Sequence, residues 1–135
     1  MESFYDEIRS SIRRKAESGR SKYATYLSIN PNLEIPSIYN YINHKKHISM
    51  VAKLRTSSHN LRIEMGRRVG QLREQRVCHC GEAVEDEFHF LCECGFYDEV
   101  RRRHGIVRES VEEILSDAKY VGYIKELVEK RKELV

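Results

Sequence analysis

The sequence predicts a mainly α fold, a small multi-helix domain closed by a cysteine-histidine knuckle. Three observations predict it. The 135 residues hold only two prolines and seven glycines and are rich in Leu, Ile, Glu, Lys and Arg, so little turn chemistry interrupts the helix formers. Apolar residues recur at three- and four-residue intervals along most of the chain. All four cysteines and two of the six histidines fall between Cys78 and Cys94, a staple that a chain of this size can use.

The elements follow in order. Residues 3–17 read as a helix: Ser3 with Asp6 resembles a capping start, and Phe4, Ile8, Ile12 and Ala16 share one face. Ser18-Gly19-Arg20-Ser21 breaks it, and a short helical piece from Lys22 to Ser28 ends before Asn30-Pro31. Pro36 can open a further turn carrying Ile38, Tyr39, Tyr41 and Ile42. A longer helix is predicted over 45–56, with Ile48, Val51, Ala52 and Leu54 apolar and Lys45, Lys46, Lys53 and Arg55 polar. Ser57-Ser58 breaks it, a helix over 59–65 follows, and Gly66 is placed to cap that helix. Arg67 to Arg76 reads as basic and irregular.

Val84 to Leu91 is expected to be a short helix with Phe88 and Leu91 inward, and Phe96, Tyr97 and Val100 lead a helix toward Gly105. Ser110 with Glu113 is a capping signature for a helix through Leu115. Asp117 caps the last helix, where Tyr120, Tyr123 or Ile124, Leu127 and Val128 repeat at helical spacing. The whole reads as one domain over 1–135: a basic helical part (1–77), a knuckle (78–104) and C-terminal helices (105–135).

Within the knuckle, Cys78, Cys80, His89 and Cys94 form the pattern C-x-C-x8-H-x4-C. Thiolate sulfur and neutral imidazole nitrogen are the donors that tetrahedral zinc prefers. Gly81 suits a tight turn after Cys80, because glycine accepts positive φ. Four protein donors fill a tetrahedron and leave no place for water, so the site reads as a structural Zn2+ site, not a catalytic one. The C-x-C gap is tighter than the usual C-x2-C, and Cys92 or His79 could replace one of the four. Cys92 is the main rival, its other role being a core residue beside Leu91. Glu85, Asp86 and Glu87 could serve as a base only if a metal position stayed open, so no enzyme is expected.

The charge is uneven. Residues 1–77 carry 15 Lys/Arg against 7 Asp/Glu, a net of +8, and residues 78–135 carry 9 against 14, a net of −5. A basic front half suits a polyanion, whereas two solvated helix faces would give the same tally. No signal core or bilayer-length apolar run occurs, so the expectation is an intracellular chain, nuclear or cytoplasmic, with no membrane contact.

The run Leu54-Arg55-Thr56-Ser57-Ser58-His59-Asn60-Leu61-Arg62-Ile63-Glu64-Met65-Gly66-Arg67-Arg68, then Arg76-Val77-Cys78, then Val84 to Leu91 through Cys94 and Tyr97, resembles a known family. It is similar to the C-terminal zinc-binding region of reverse transcriptases from animal non-LTR retrotransposons, across residues 20–104. The resemblance implies an accessory domain that binds RNA or DNA. It implies no polymerase, since Asp6, Asp86, Asp98 and Asp117 are scattered and form no metal-binding pair.

Candidate phosphate contacts are Lys45, Lys46, Lys53, Arg55, Arg62, Arg67, Arg68, Arg73 and Arg76. Tyr23, Tyr26, Tyr39 and Tyr41 could stack on unpaired bases or serve as core aromatics. Arg101-Arg102-Arg103 is a second basic cluster, softened by Asp98, Glu99 and Glu109. RNA or single-stranded DNA binding with low sequence specificity is the leading expectation. A protein-protein interaction module using the C-terminal helices is the alternative, and oligomeric state is left open.

Overall fold

The computed structural model describes residues 4–17, 23–33 and 36–135. Helices α1 (Phe4–Glu17) and α2 (Tyr23–Ile29) come first, then a 3-10 turn at Ser37–Tyr41 and helices α3 (Lys45–Arg55) and α4 (Arg62–Arg68). A 3-10 turn at Arg73–Gln75, a π-helical turn at His89–Glu93 and a 3-10 turn at Gly95–Tyr97 follow. Helices α5 (Asp98–Arg103), α6 (Val111–Ile114) and α7 (Val121–Leu134) complete the order. Among the described residues there is no strand, only an antiparallel bridge between Val77 and Val84. No helix there is long and apolar enough to cross a membrane. The expected Ser3 cap and the break at 18–21 lie outside the described residues.

The core sits between α3, the π turn, α6 and α7. Val51 and Leu54 come from α3, Phe90 and Leu91 from the π turn, Ile114 from α6, and Tyr123, Ile124 and Leu127 from α7. Phe90 meets Tyr97 edge to face, centroids 5.3 Å apart at 86°, the geometry that aromatic quadrupoles favour. The Tyr123 hydroxyl donates to the Leu91 carbonyl, which satisfies a polar atom in the centre of this core. Tyr123, Ile124 and Leu127 of the predicted α7 stripe are therefore consumed inside the molecule, while Tyr120 and Val128 stay half-buried.

Local capping follows the sequence where it is local. Ser110 Oγ accepts from the Glu113 N–H at 3.1 Å. Asp117 Oδ1 accepts from the Lys119 N–H at 3.0 Å, but it caps a 3-10 turn at Ala118–Tyr120 and not the last helix, which starts at Val121 with no side-chain cap. The start of α3 is capped by a residue the sequence did not single out: His44 Nδ1 accepts from the Lys46 N–H at 3.1 Å. Helix α3 ends in a Schellman arrangement, with the Ser58 N–H donating to the Lys53 carbonyl at 2.8 Å around Ser57 at φ +55°. Glycine usually takes that left-handed position. Here Ser57 Oγ donates to Glu87 Oε1 at 2.9 Å, a bond glycine could not make.

Two expectations fail for tertiary reasons. Helix α4 spans Arg62–Arg68, not 59–65, because its first turn is capped from outside. Glu85 supplies both caps: its carboxylate accepts from the Arg62 N–H at 2.8 Å and its carbonyl from the Ile63 N–H at 3.0 Å. Gly66 is then interior and buried, not a terminal cap. A Cβ on it would lie 2.4 Å from Arg76 Cγ, so its role is to let that side chain cross the helix. Nor is 84–91 a continuous helix. Val84 pairs with Val77, helix starts only at Glu87, and Phe88 is exposed while Leu91 is buried as expected.

Candidate metal centre

Two short segments build the site. The first is a tight hairpin. The Val77–Val84 bridge and the Cys78 N–H bond to the Ala83 carbonyl, 2.9 Å, close it at the base. The Gly81 N–H donates to the Cys78 carbonyl at 2.8 Å, and Gly81 sits at φ +79°. That left-handed residue turns the chain at once after Cys80, which is how a C-x-C pair can converge.

The second segment is the π turn. An ideal α-helix would place residues 89 and 94 roughly 140° apart around its axis, on divergent faces. The Cys94 N–H instead donates to the His89 carbonyl at 2.7 Å, an i to i+5 bond that stacks residue 94 under residue 89. Asp86 Oδ1 anchors the turn by accepting from the His89 N–H at 2.8 Å. In this chain the x4 gap between His89 and Cys94 is closed by that π turn, and both side chains reach one cluster.

The donor atoms of Cys78, Cys80, His89 and Cys94 all lie within 4.8 Å of one another, so this cluster could hold a metal ion. Cys78 Sγ and Cys94 Sγ are 3.8 Å apart and Cys80 Sγ is 3.2 Å from His89 Nε2. A tetrahedron with metal–sulfur bonds of about 2.3 Å has sulfur–sulfur edges of about 3.8 Å. A disulfide needs about 2.05 Å, so the sulfurs are spaced as ligands, not as a bonded pair.

The surroundings act on the three thiols in opposite directions. The N–H of Cys80 points at Cys78 Sγ, that of Glu82 at Cys80 Sγ and that of Phe96 at Cys94 Sγ. Each sulfur therefore accepts from the amide two residues on. For Cys80 burial opposes ionisation, but the Glu82 amide and the His89 ring outweigh it and hold the thiol below its ordinary value. Burial raises Cys78, and it pushes Cys94 up to about 12, with the neighbouring sulfurs adding repulsion. Three thiolates in so small a volume repel one another, and a dication would remove that repulsion.

His89 is oriented from behind. Its Nδ1 lies 3.1 Å from Glu93 Oε1, one helical turn along. A proton on Nδ1 shared with that carboxylate leaves Nε2 as the free lone pair facing the cysteines. Burial alone would lower the His89 pKa, but Glu93 and Cys80 outweigh it and raise it. Glu93 as an orienting residue was missed in the sequence reading, although its i+4 spacing from His89 was legible there.

Cys92 lies outside the cluster. Its Sγ is 3.6 Å from the Glu109 carbonyl, and burial pushes its thiol up to about 11. His79 is exposed and its Nε2 faces Arg62 Nη2 at 3.2 Å. Neither replaces one of the four donors.

The knuckle is wired to the rest of the fold by two buried carboxylates. Glu85 receives Arg131 of α7 through two bonds of 2.8 Å, beside its bond to the Arg62 amide. Burial would raise Glu85, but Arg131 and the amide outweigh it and hold it below the usual range. Glu87 accepts from Ser57 Oγ and lies 2.7 Å from His59 Nε2, while His59 Nδ1 accepts from the Leu61 N–H at 3.2 Å. With Nδ1 an acceptor, the His59 ring is oriented to donate through Nε2. Burial opposes the Glu87 charge, yet His59 and Ser57 hold its pKa low.

The candidate phosphate contacts divide. Arg55 is corrected: it is buried, its Nη1 donates to the Leu115 carbonyl, and it cannot present itself to a ligand. Arg76 is half-buried, with bonds of 3.1 Å to the Ile63 carbonyl and 2.7 Å to the Gln71 carbonyl. Arg67 pairs with Glu64, and Arg73 with Asp86. Arg68 reaches the His59 carbonyl at 3.1 Å. Lys45, Lys46, Lys53 and Arg62 are exposed. In the second cluster Arg101 is buried on the Cys94 carbonyl and Arg103 pairs with Glu126. Of the tyrosines, Tyr41 is exposed, Tyr26 and Tyr39 are half-buried, and the Tyr23 side chain lies outside the described residues.

Comparison with family models, with curated proteins and with solved structures yields no match to this chain.

Proposed function

We propose that this protein is a zinc-stabilised domain that binds RNA or single-stranded DNA with little sequence readout, and that its zinc is structural. The observation that carries the zinc is the cluster of three sulfurs and one imidazole nitrogen within 4.8 Å. Sulfur-rich tetrahedral sets select zinc over magnesium or calcium, which take oxygen donors. Four protein donors leave no coordination site for water, so no metal-activated nucleophile forms and the site has no catalytic role. The binding half of the reading is supported by the exposed cations Lys45, Lys46, Lys53 and Arg62 and by the resemblance to the zinc-binding region of retrotransposon reverse transcriptases.

The test is metal analysis and binding on one sample. Purified without chelator, the protein should carry about one zinc per chain. It should retain oligonucleotides at low salt and release them steeply as salt rises. Absence of zinc, or binding that ignores salt, would refute the reading. An interaction module is the second reading, its surface moved from the C-terminal helices to Val69, Leu72 and Phe88, which are apolar and exposed. It is favoured if zinc is present and no nucleic acid is retained.

A further inference from the structure

Between α3, α7 and the 58–61 loop lies a groove of about 640 Å3. Its two walls carry matching lysine pairs. Lys46 and Lys53 stand on α3 and Lys125 and Lys132 on α7, each pair seven residues apart. Seven residues are two helical turns, so the lysines of a pair are spaced by roughly 10.5 Å along one face. All four are exposed, and none forms an ion pair among the described residues. Glu129 is the one carboxylate in the lining. Between the walls the lining is mixed, with Met50 and Val128 as half-buried apolar residues over Leu54, and Ser49, Ser58, Asn60, His47 and His59 beside them.

This arrangement differs from the arginine surface that runs from the end of α4 to Arg76. There Arg67, Arg73 and Arg76 are committed to Glu64, Asp86 and backbone carbonyls. Here four point charges face an open trough with no counter-charge of their own except Glu129. Carboxylates are recognised best by the two-pronged arginine fork, whereas lysine serves phosphate as a point charge. The one arginine in the groove, Arg131, is already bound to Glu85 on both prongs. The apolar residues between the walls have a partner in unpaired bases but none in a duplex, whose bases are stacked inside.

We infer that the α3–α7 groove is the seat of a single nucleic-acid strand, with Lys46, Lys53, Lys125 and Lys132 on its phosphates and its bases against Met50 and Val128. The assignment rests on the nucleic-acid reading above and names its surface. Two of the four lysines come from the acid-rich C-terminal half.

The experiment uses the full-length zinc-loaded chain with fluorescein-labelled oligouridine, oligothymidine and a duplex of equal length, titrated with salt. The triple variant Lys53→Glu, Lys125→Glu, Lys132→Glu should lose at least about tenfold in affinity, and the slope of log K against log salt should fall by about 2. Arg67→Glu with Arg68→Glu should change both far less. Circular dichroism and metal content check folding, and the triple Lys→Gln variant replaces the Glu variant if that misfolds. If the wild type binds strands and the triple variant binds equally well, the groove assignment is overturned while the nucleic-acid reading stands. Equal or tighter duplex binding, or equal competition by polyglutamate, also overturns it. If the wild type binds no oligonucleotide, the underlying reading fails first.

Discussion

At the scale of single residues, the cysteines are not equivalent although they lie within seventeen positions of sequence. Cys78, Cys80 and Cys94 face one another and His89, whereas Cys92 turns to the Glu109 carbonyl. Cys78→Ser, Cys80→Ser, Cys94→Ser and His89→Ala should each abolish stoichiometric zinc, and Cys92→Ser should retain it, as read by metal analysis. Glu93→Gln should keep the fold and weaken zinc by about 10–100-fold, because it removes the carboxylate that fixes the His89 tautomer. A chelator competition titration measures that. Ser57 offers a finer probe. Ser57→Ala keeps the left-handed strain and loses the bond to Glu87, so it should cost about 1.5–3 kcal/mol in urea unfolding. Ser57→Gly should cost less, since it relieves the backbone while losing the same bond.

At the scale of elements, the joints matter more than the helices themselves. Helix α4 has seven residues, too few to stand alone, and Glu85 from the knuckle caps its start while Arg131 from α7 holds that carboxylate. Glu85→Ala should therefore cost about 3–5 kcal/mol, because it strands a partly buried guanidinium and uncaps α4 together. Equilibrium unfolding of the zinc-loaded protein tests it. The Glu87 joint carries a pH signature. Its folded pKa lies below the unfolded value, so its stabilisation is complete above the ordinary carboxylate range and is lost as pH falls through the lower folded value. The gap in urea midpoint between the wild type and Glu87→Gln should be widest near neutral pH and close on acidification. A gap that is constant with pH would contradict the charged assignment.

At the scale of the whole molecule, the Cys/His cluster and the hydrophobic core are parts of one object. Cys78 and Cys94 are buried in the same core as Phe90, Leu91 and Tyr97. The Cys94 carbonyl is held by Arg101, and the Leu91 carbonyl by Tyr123 of α7. Zinc removal should expose amides not only in the hairpin and π turn but also in α4 and α7, through Glu85 and Tyr123. Hydrogen exchange with and without chelator reads this directly. Deprotection confined to residues 78–94 would show that the core stands without the metal.

Much of this was legible in the sequence, and the reason is locality. The helical class, the cap at Ser110 and the inward face of α7 depend on residues within one or two turns of each other. The four clustered side chains were legible too, because thiol and imidazole chemistry identifies itself by residue type and the pattern fits within seventeen positions. What only the tertiary structure decided involves partners distant in the chain. Glu85 moved the start of α4, Leu115 drew Arg55 out of the candidate binding surface, and Arg76 turned Gly66 from a cap into a crossing point. The charge map changed in the same way: the sequence placed the cations in the front half, but folding set Lys125 and Lys132 opposite Lys46 and Lys53. Electrostatics and capping act through space over a few ångströms, so a partner some sixty or eighty residues away is invisible to periodicity and decisive once the chain is folded.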